Sequence, residues 1–252
     1  MTSATDDTAS IDDKLAKVIR ENPNDYNKIM WYAAMWGKVD IVQLMLEKGA
    51  NDYNWSMNSA AISGYMNIVK LMLEKGATDY NRSMSSAART GHMDIVKLML
   101  EKGANNYNST MASAANGGHM DIVKLMLEKG ANDYNSAMSS AIEGRKVSNE
   151  VHMEIMNLML EKGANDYNNA MKSAAIGGHM DIIKLMLEKG ANDYNGTMCI
   201  ASLNGHMNII NLMLEKGANN YDDALYYATI GGYTEVINLM LEKGAKLTKK
   251  PF

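Results

Sequence analysis

Five histidines, His92, His119, His152, His179 and His206, recur at intervals of 27 or 33 residues. Histidines brought together would suit a metal ion. Asp94, Lys97 and Glu101 return in the same register, a grouping that suggests paired acid–base groups. Cys199, the one cysteine, is the candidate nucleophile. The period itself argues against the first two. Packed helices stand about 8–10 Å apart, whereas metal ligands lie about 2 Å from a shared ion. Equivalent residues on successive helices therefore cannot converge. The histidines are expected to hydrogen-bond the turn between helices. Asp94, Lys97 and Glu101 read as a solvated helix face with weak ion pairs. Cys199 replaces a small residue and has no His or Asp beside it outside the repeat pattern. No catalytic, cofactor-binding or metal site is expected, and the chain reads as non-enzymatic.

The elements that carry these residues are repeats. Glu-Lys-Gly-Ala occurs eight times, with glycines at Gly49, Gly76, Gly103, Gly130, Gly163, Gly190, Gly217 and Gly244. The spacing is 27 residues, except for 33 between Gly130 and Gly163. Tyrosines keep the same phase at Tyr26, Tyr53, Tyr80, Tyr107, Tyr134, Tyr167, Tyr194 and Tyr221, nearly all within Asp/Asn-Tyr-Asn. In the third repeat Asn81 is placed to cap a short helix with Met84, Ala87 and Ala88 on one face. Gly91 breaks that helix. A second helix starts near Met93, apolar around most of its circumference through Ile95, Val96, Leu98, Met99 and Leu100, and Gly103 ends it. Helices of about ten residues do not persist alone, so each repeat must be stabilised by its neighbours. Most of the 24 methionines fall at the phases of Met84, Met93 and Met99, where a flexible gap filler suits a core.

The string Met84-x-x-Ala87-Ala88-x-x-Gly91-His92-x-x-Ile95-Val96-x-Leu98-Met99-Leu100-x-x-Gly103-Ala104 resembles the ankyrin repeat, and the resemblance runs from about Asp25 to Ala245. It implies an all-α, right-handed helical solenoid of eight helix–turn–helix repeats. The ankyrin period of 33, with its β-hairpin and Thr-Pro, is shortened here, so the long hairpin fingers are missing. The tyrosines are expected to fill the space so vacated. Shortened arrays of this kind resemble those of large DNA viruses of amoebae, which implies a host-directed, protein-binding role through the concave, first-helix face.

The expected organisation is a disordered tail over 1–9, a capping helix over 10–24, the repeats over 25–246 and a tail over 247–252. Ser10 and Asp13 suit a capping box, with Ile11, Leu15, Val18 and Ile19 on one helix face. The fifth repeat carries six extra residues within 145–151. Such an insertion is either drift in a surface loop or part of a binding face. The formal charge of −4 with interspersed signs gives no footprint for nucleic acid or an anionic membrane. No apolar run is long enough to span a bilayer. Met1 to Ser10 lacks the apolar core of a secretory signal. With one cysteine, this places the chain in a reducing cytoplasm, the host's if the source is viral.

Side chains that depart from the repeat are the candidate contacts. Trp31, Trp36 and Trp55 all lie early and suit either a partner or the N-terminal helix. Asn58, Ile62, Arg82, Arg89, Asn116, Lys172, Ile176 and Leu203 vary along the first helices. Tyr226, Tyr227, Tyr233, Leu239 and Met240 suggest an apolar last repeat available for a homodimer. The leading reading is a protein-binding scaffold; the alternative is a self-associating structural protein.

Overall fold

The computed structural model describes residues 10–144 and 149–246; the tails 1–9 and 247–252 and positions 145–148 of the insertion lie outside the described residues. Among the described residues there are seventeen helices and no strand. Helix α1 is Ile11–Glu21. Eight pairs follow. They are α2 Tyr26–Met35 with α3 Val39–Glu47, α4 Tyr53–Ser63 with α5 Met66–Glu74, α6 Tyr80–Thr90 with α7 Met93–Glu101, and α8 Tyr107–Gly117 with α9 Met120–Glu128. The later pairs are α10 Tyr134–Glu143 with α11 Asn149–Lys162, α12 Tyr167–Gly177 with α13 Met180–Glu188, α14 Tyr194–Asn204 with α15 Met207–Glu215, and α16 Tyr221–Gly231 with α17 Thr234–Glu242. The contacts form two compact units, one running to Ala131 and one from Asn132.

Within each unit the first helices stack directly on one another, α2 on α4 on α6 on α8, and α10 on α12 on α14 on α16. Alanine pairs make this close approach possible: Ala33–Ala34, Ala60–Ala61, Ala87–Ala88, Ala114–Ala115 and Ala174–Ala175 are fully buried. Methionines at the Met84 and Met99 phases fill the remaining space and are buried throughout, while those at the Met93 phase are half-buried. The two outer leucines of each second helix face opposite neighbours. Leu44, at the Leu98 phase, is 42% exposed in the first pair, and Leu241, at the Leu100 phase, is 51% exposed in the last. Their equivalents elsewhere are half-buried.

Asp-Tyr-Asn divides its work differently from the expectation. The aspartate caps the helix: Asp79 Oδ1 accepts from Arg82 N at 3.3 Å, and Asp25, Asp52, Asp133, Asp166 and Asp193 do the same in their repeats. The tyrosine is the first helical residue and is half-buried in every pair. Asn81 is not the cap. Its Oδ1 accepts from the backbone N–H groups of Asn105 at 2.8 Å and Asn106 at 2.9 Å, in the loop of the next repeat. Asn27 and Asn54 in the first unit, and Asn135, Asn168 and Asn195 in the second, each accept the equivalent pair. Asp222 takes the role in the last repeat and accepts from Lys246 N at 2.7 Å. A backbone that would have paired within a hairpin is thus satisfied by one side chain.

The opposite edge carries the turn between helices. Gly91 is left-handed at φ 83°, and His92 N closes on Ala87 O at 2.9 Å, the pattern of a Schellman cap. A Cβ on Gly91 would stand 2.4 Å from the His119 ring, which lies against it from the next repeat. The same stacking sets Tyr65 on Gly37, His92 on Gly64, His206 on Gly178 and Tyr233 on Gly205. His92 Nε2 donates to Ile62 O at 3.2 Å and His206 Nε2 to Ile176 O at 3.1 Å. These two histidines thus satisfy a carbonyl in the last turn of the preceding repeat's first helix, where intrahelical partners run out.

Helix α1 starts on the expected capping box, with both Ser10–Asp13 hydrogen bonds present. Only Leu15 is buried on it; Ile11 and Ile19 are 45% and 38% exposed, so the expected apolar face is only partly covered. An ion pair from Lys38 Nζ to Asp12 Oδ1, at 2.6 Å, ties α1 to the first turn.

Replacing Asn81 by Ala removes two loop hydrogen bonds and should cost about 1–2 kcal/mol. Asn81→Asp should lose less, since it keeps the acceptor as Asp222 does. Urea denaturation of the two variants beside wild type measures both effects; equal losses would remove the acceptor role.

Candidate partner-binding surface

The outward positions of each first helix are the third, sixth, seventh and tenth residues, counted from its tyrosine. In the first unit the structure brings Trp31 and Trp55 together. They line one cleft of about 440 Å³ with Asp25, Asn27, Lys28 and Asp52. Trp55 is 47% exposed, and the guanidinium of Arg82 sits 3.9 Å from its ring centroid, a cation–π contact. Trp36 stands apart. It faces α1 across another cleft, with Lys14, Lys17 and Val18 among the lining residues. Tyr32 joins the two halves of this cluster, with ring centroids 4.5 Å from Trp31 and 5.2 Å from Trp36. The sequence reading does not single out Tyr32; its signal was a tyrosine at a phase held by serine in the next five repeats.

Arg82 and Arg89 are exposed and border a second groove, of about 460 Å³, with Asn81, Ser85, Ser86, Asn106, Ser109 and Ser113. Ile62 and Asn116 are half-buried at the phase of Arg89. Asn58 does not belong to this surface. It is 5% exposed, and its Oδ1 is buried without a hydrogen-bond partner. Its neighbours in the array are Trp31, at the same phase one repeat earlier, and Trp55, one helical turn before it. Side chains of that size leave an asparagine at this position little access to water.

In the second unit Lys172, Ile176 and Leu203 are half-buried on the first-helix face. Lys172 Nζ donates to Asp193 Oδ2 at 2.9 Å, across to the cap of the next repeat. That hydrogen bond holds the Asp193 carboxyl below its ordinary value of 3.8; burial works in the other direction, and the Gly196 N–H and the charge of Lys172 reinforce the lowering. Ser173 Oγ donates to Glu143 Oε1 at 2.7 Å, a further polar tie between neighbouring first helices. Ile230, 51% exposed, shares the phase of Ile176 and Leu203 and extends their apolar row, though the sequence reading does not single it out. Cys199 is buried.

The end of the second unit differs from expectation at Met240, which is fully buried and unavailable for self-association. Met240 holds the Met99 phase, which turns toward its own pair. Leu239 is half-buried, because its phase faces the preceding repeat. The apolar side chain left open on the last helix is Leu241. Tyr226 and Tyr227 are half-buried and meet edge to face at 5.5 Å. Tyr233 is 40% exposed, although its ring covers Gly205.

Among the described residues no group of three His, Cys, Asp or Glu is placed to hold a metal ion, and no helix is long and apolar enough to cross a membrane. A family model described as ankyrin repeats (3 copies) matches residues 9–84, 82–138 and 144–221. A search of the curated proteins finds no match.

Lys172→Gln should cost less than about 1 kcal/mol at neutral pH, as a half-exposed ion pair implies. A lowered carboxylate pKa stabilises the fold above the unfolded value, and the gain disappears as pH falls through the lowered value. The gap between variant and wild type should therefore close below pH 3.8. Chemical denaturation at neutral and acid pH reads it; a gap that persists in acid would refute the pairing.

Proposed function

Because the chain belongs to the ankyrin-repeat family, whose arrays are protein–protein interaction scaffolds, we propose that it holds a partner protein on its first-helix face without catalysing a reaction. The observation that carries this reading is the pairing of Trp55 and Arg82. An indole 47% exposed, with a guanidinium 3.9 Å from its centroid, combines two residue types that dominate binding hot spots. The side chains that build the repeat are nearly constant, while those on this face change from one repeat to the next. The resemblance of the shortened repeat to arrays of large DNA viruses points to a host protein as partner. One buried cysteine suits the reducing cytoplasm of that host cell.

The test is affinity capture from host-cell lysate with three baits: wild type, Trp55→Ala/Arg82→Ala, and Lys97→Ala/Lys124→Ala on the second helices. A discrete protein kept by the second-helix variant and lost by the first-helix variant supports the reading. Loss with the second-helix variant alone would move the site to the other layer.

The second reading is self-association through the last repeat, favoured by the exposure of Leu241 and Ile230, each 51%. It predicts a mass in light scattering that rises with concentration by whole protomers and returns to one protomer in Leu241→Lys/Ile230→Lys. A wild-type monomer at high micromolar concentration would exclude it.

A further inference from the structure

We infer that the groove between α6 and α8 takes an extended acidic peptide, a segment of the partner protein carrying two carboxylates three residues apart. This rests on the scaffold reading and names the partner's chemistry. Arg82 and Arg89 are both exposed on α6. Neither makes an ion pair among the described residues. The groove they border contains no carboxylate; its other lining residues are serines and asparagines. The acid nearest in sequence to Arg82, Asp79, accepts from the backbone N–H of Arg82 as the helix cap. Two unneutralised guanidinium groups thus stand together on a chain whose formal charge is −4. One of them is already oriented, by its stacking on Trp55, so little side-chain freedom is left to lose on binding.

Guanidinium forks bind carboxylates in bidentate geometry. Seven residues of helix separate the two arginines by about 10 Å along the axis. A peptide in the polyproline II conformation rises about 3.1 Å per residue and returns every third side chain to the same face, so three residues span that distance and one carboxylate meets each arginine. The hydroxyls of Ser86, Ser109 and Ser113 line the intervening floor, where they are suited to donate to peptide carbonyls. A nucleic acid would need a longer track of cations than two arginines.

The probe is a fluorescein-labelled twelve-residue peptide of Gly and Ser with glutamates at every third position, read by fluorescence anisotropy at low salt. Wild type should bind saturably. Arg82→Gln/Arg89→Gln should weaken binding by at least about tenfold, as should replacing the glutamates by glutamine. Lys97→Gln/Lys124→Gln should leave it unchanged. Both pairs of substitutions are on exposed side chains, and circular dichroism confirms that each variant keeps its helices. Absence of saturable binding, equal binding of the glutamine peptide, or equal loss in the lysine variant overturns the inference. So does tighter binding of a single-stranded oligonucleotide of equal length. The Arg82→Gln/Arg89→Gln protein then serves as a fourth bait in the lysate capture. If it keeps a partner that Trp55→Ala/Arg82→Ala loses, the acidic-peptide inference falls while the scaffold reading stands.

Discussion

Within each unit of this protein the repeats depend on one side chain reaching across to backbone that the next repeat cannot satisfy by itself. The loop between repeats is too short to pair with itself as a hairpin, and its N–H groups would otherwise be left to water. In six of the first helices an asparagine one residue into the helix accepts two of them, at 2.7–3.0 Å. The aspartate two residues earlier caps the same helix, so the start of a helix and the docking of the next repeat are settled within three residues. Alanine pairs, buried methionines and the outer leucines add the burial, and the asparagines set the register in which it occurs.

The opposite edge is held by different chemistry with the same logic. A turn glycine in the left-handed conformation leaves a gap where a Cβ would be, and an aromatic ring from the next repeat occupies it. In His92 and His206 the ring Nε2 also satisfies a helix-end carbonyl, at 3.1–3.2 Å. His92 and His206, of the residue type that suggested metal chemistry, are therefore turn-edge fasteners. The first-helix face, which neither edge uses, is left free to vary.

The helix pairs, the turn glycines and the α1 capping box could be read in the sequence because each has a local signal: periodicity, a missing side chain, a spacing of three. The role of Asn81 could not. Asparagine and aspartate both cap helices, and the choice between Asp79 and Asn81 was decided by a partner 24 residues away. Burial at the variable phases was also hidden. Asn58 looks like its neighbours until the size of Trp31 and Trp55 is taken into account, and Leu239, Met240 and Leu241 differ only in which neighbour each one faces. The Trp55–Arg82 stack joins two repeats, and a departure in one repeat does not reveal what a departure in the next will touch.

The fifth repeat shows what this division of labour permits. Its six extra residues fall in the sequence between the start of α10 and the end of α11, and the asparagine of that repeat finds its two N–H groups 30 and 31 positions away instead of 24 and 25, at the same distances of 2.7 and 2.9 Å. The two edges thus obey different arithmetic. Six residues added between the two helices of a repeat leave the asparagine bonds intact, whereas those bonds themselves recur once per repeat. Excising Thr78 to Ala104 would present Asn54 with the same two donors that Asn81 now holds. Array length is consequently a discrete variable, able to change in single 27-residue steps without any intermediate that leaves a loop unbonded.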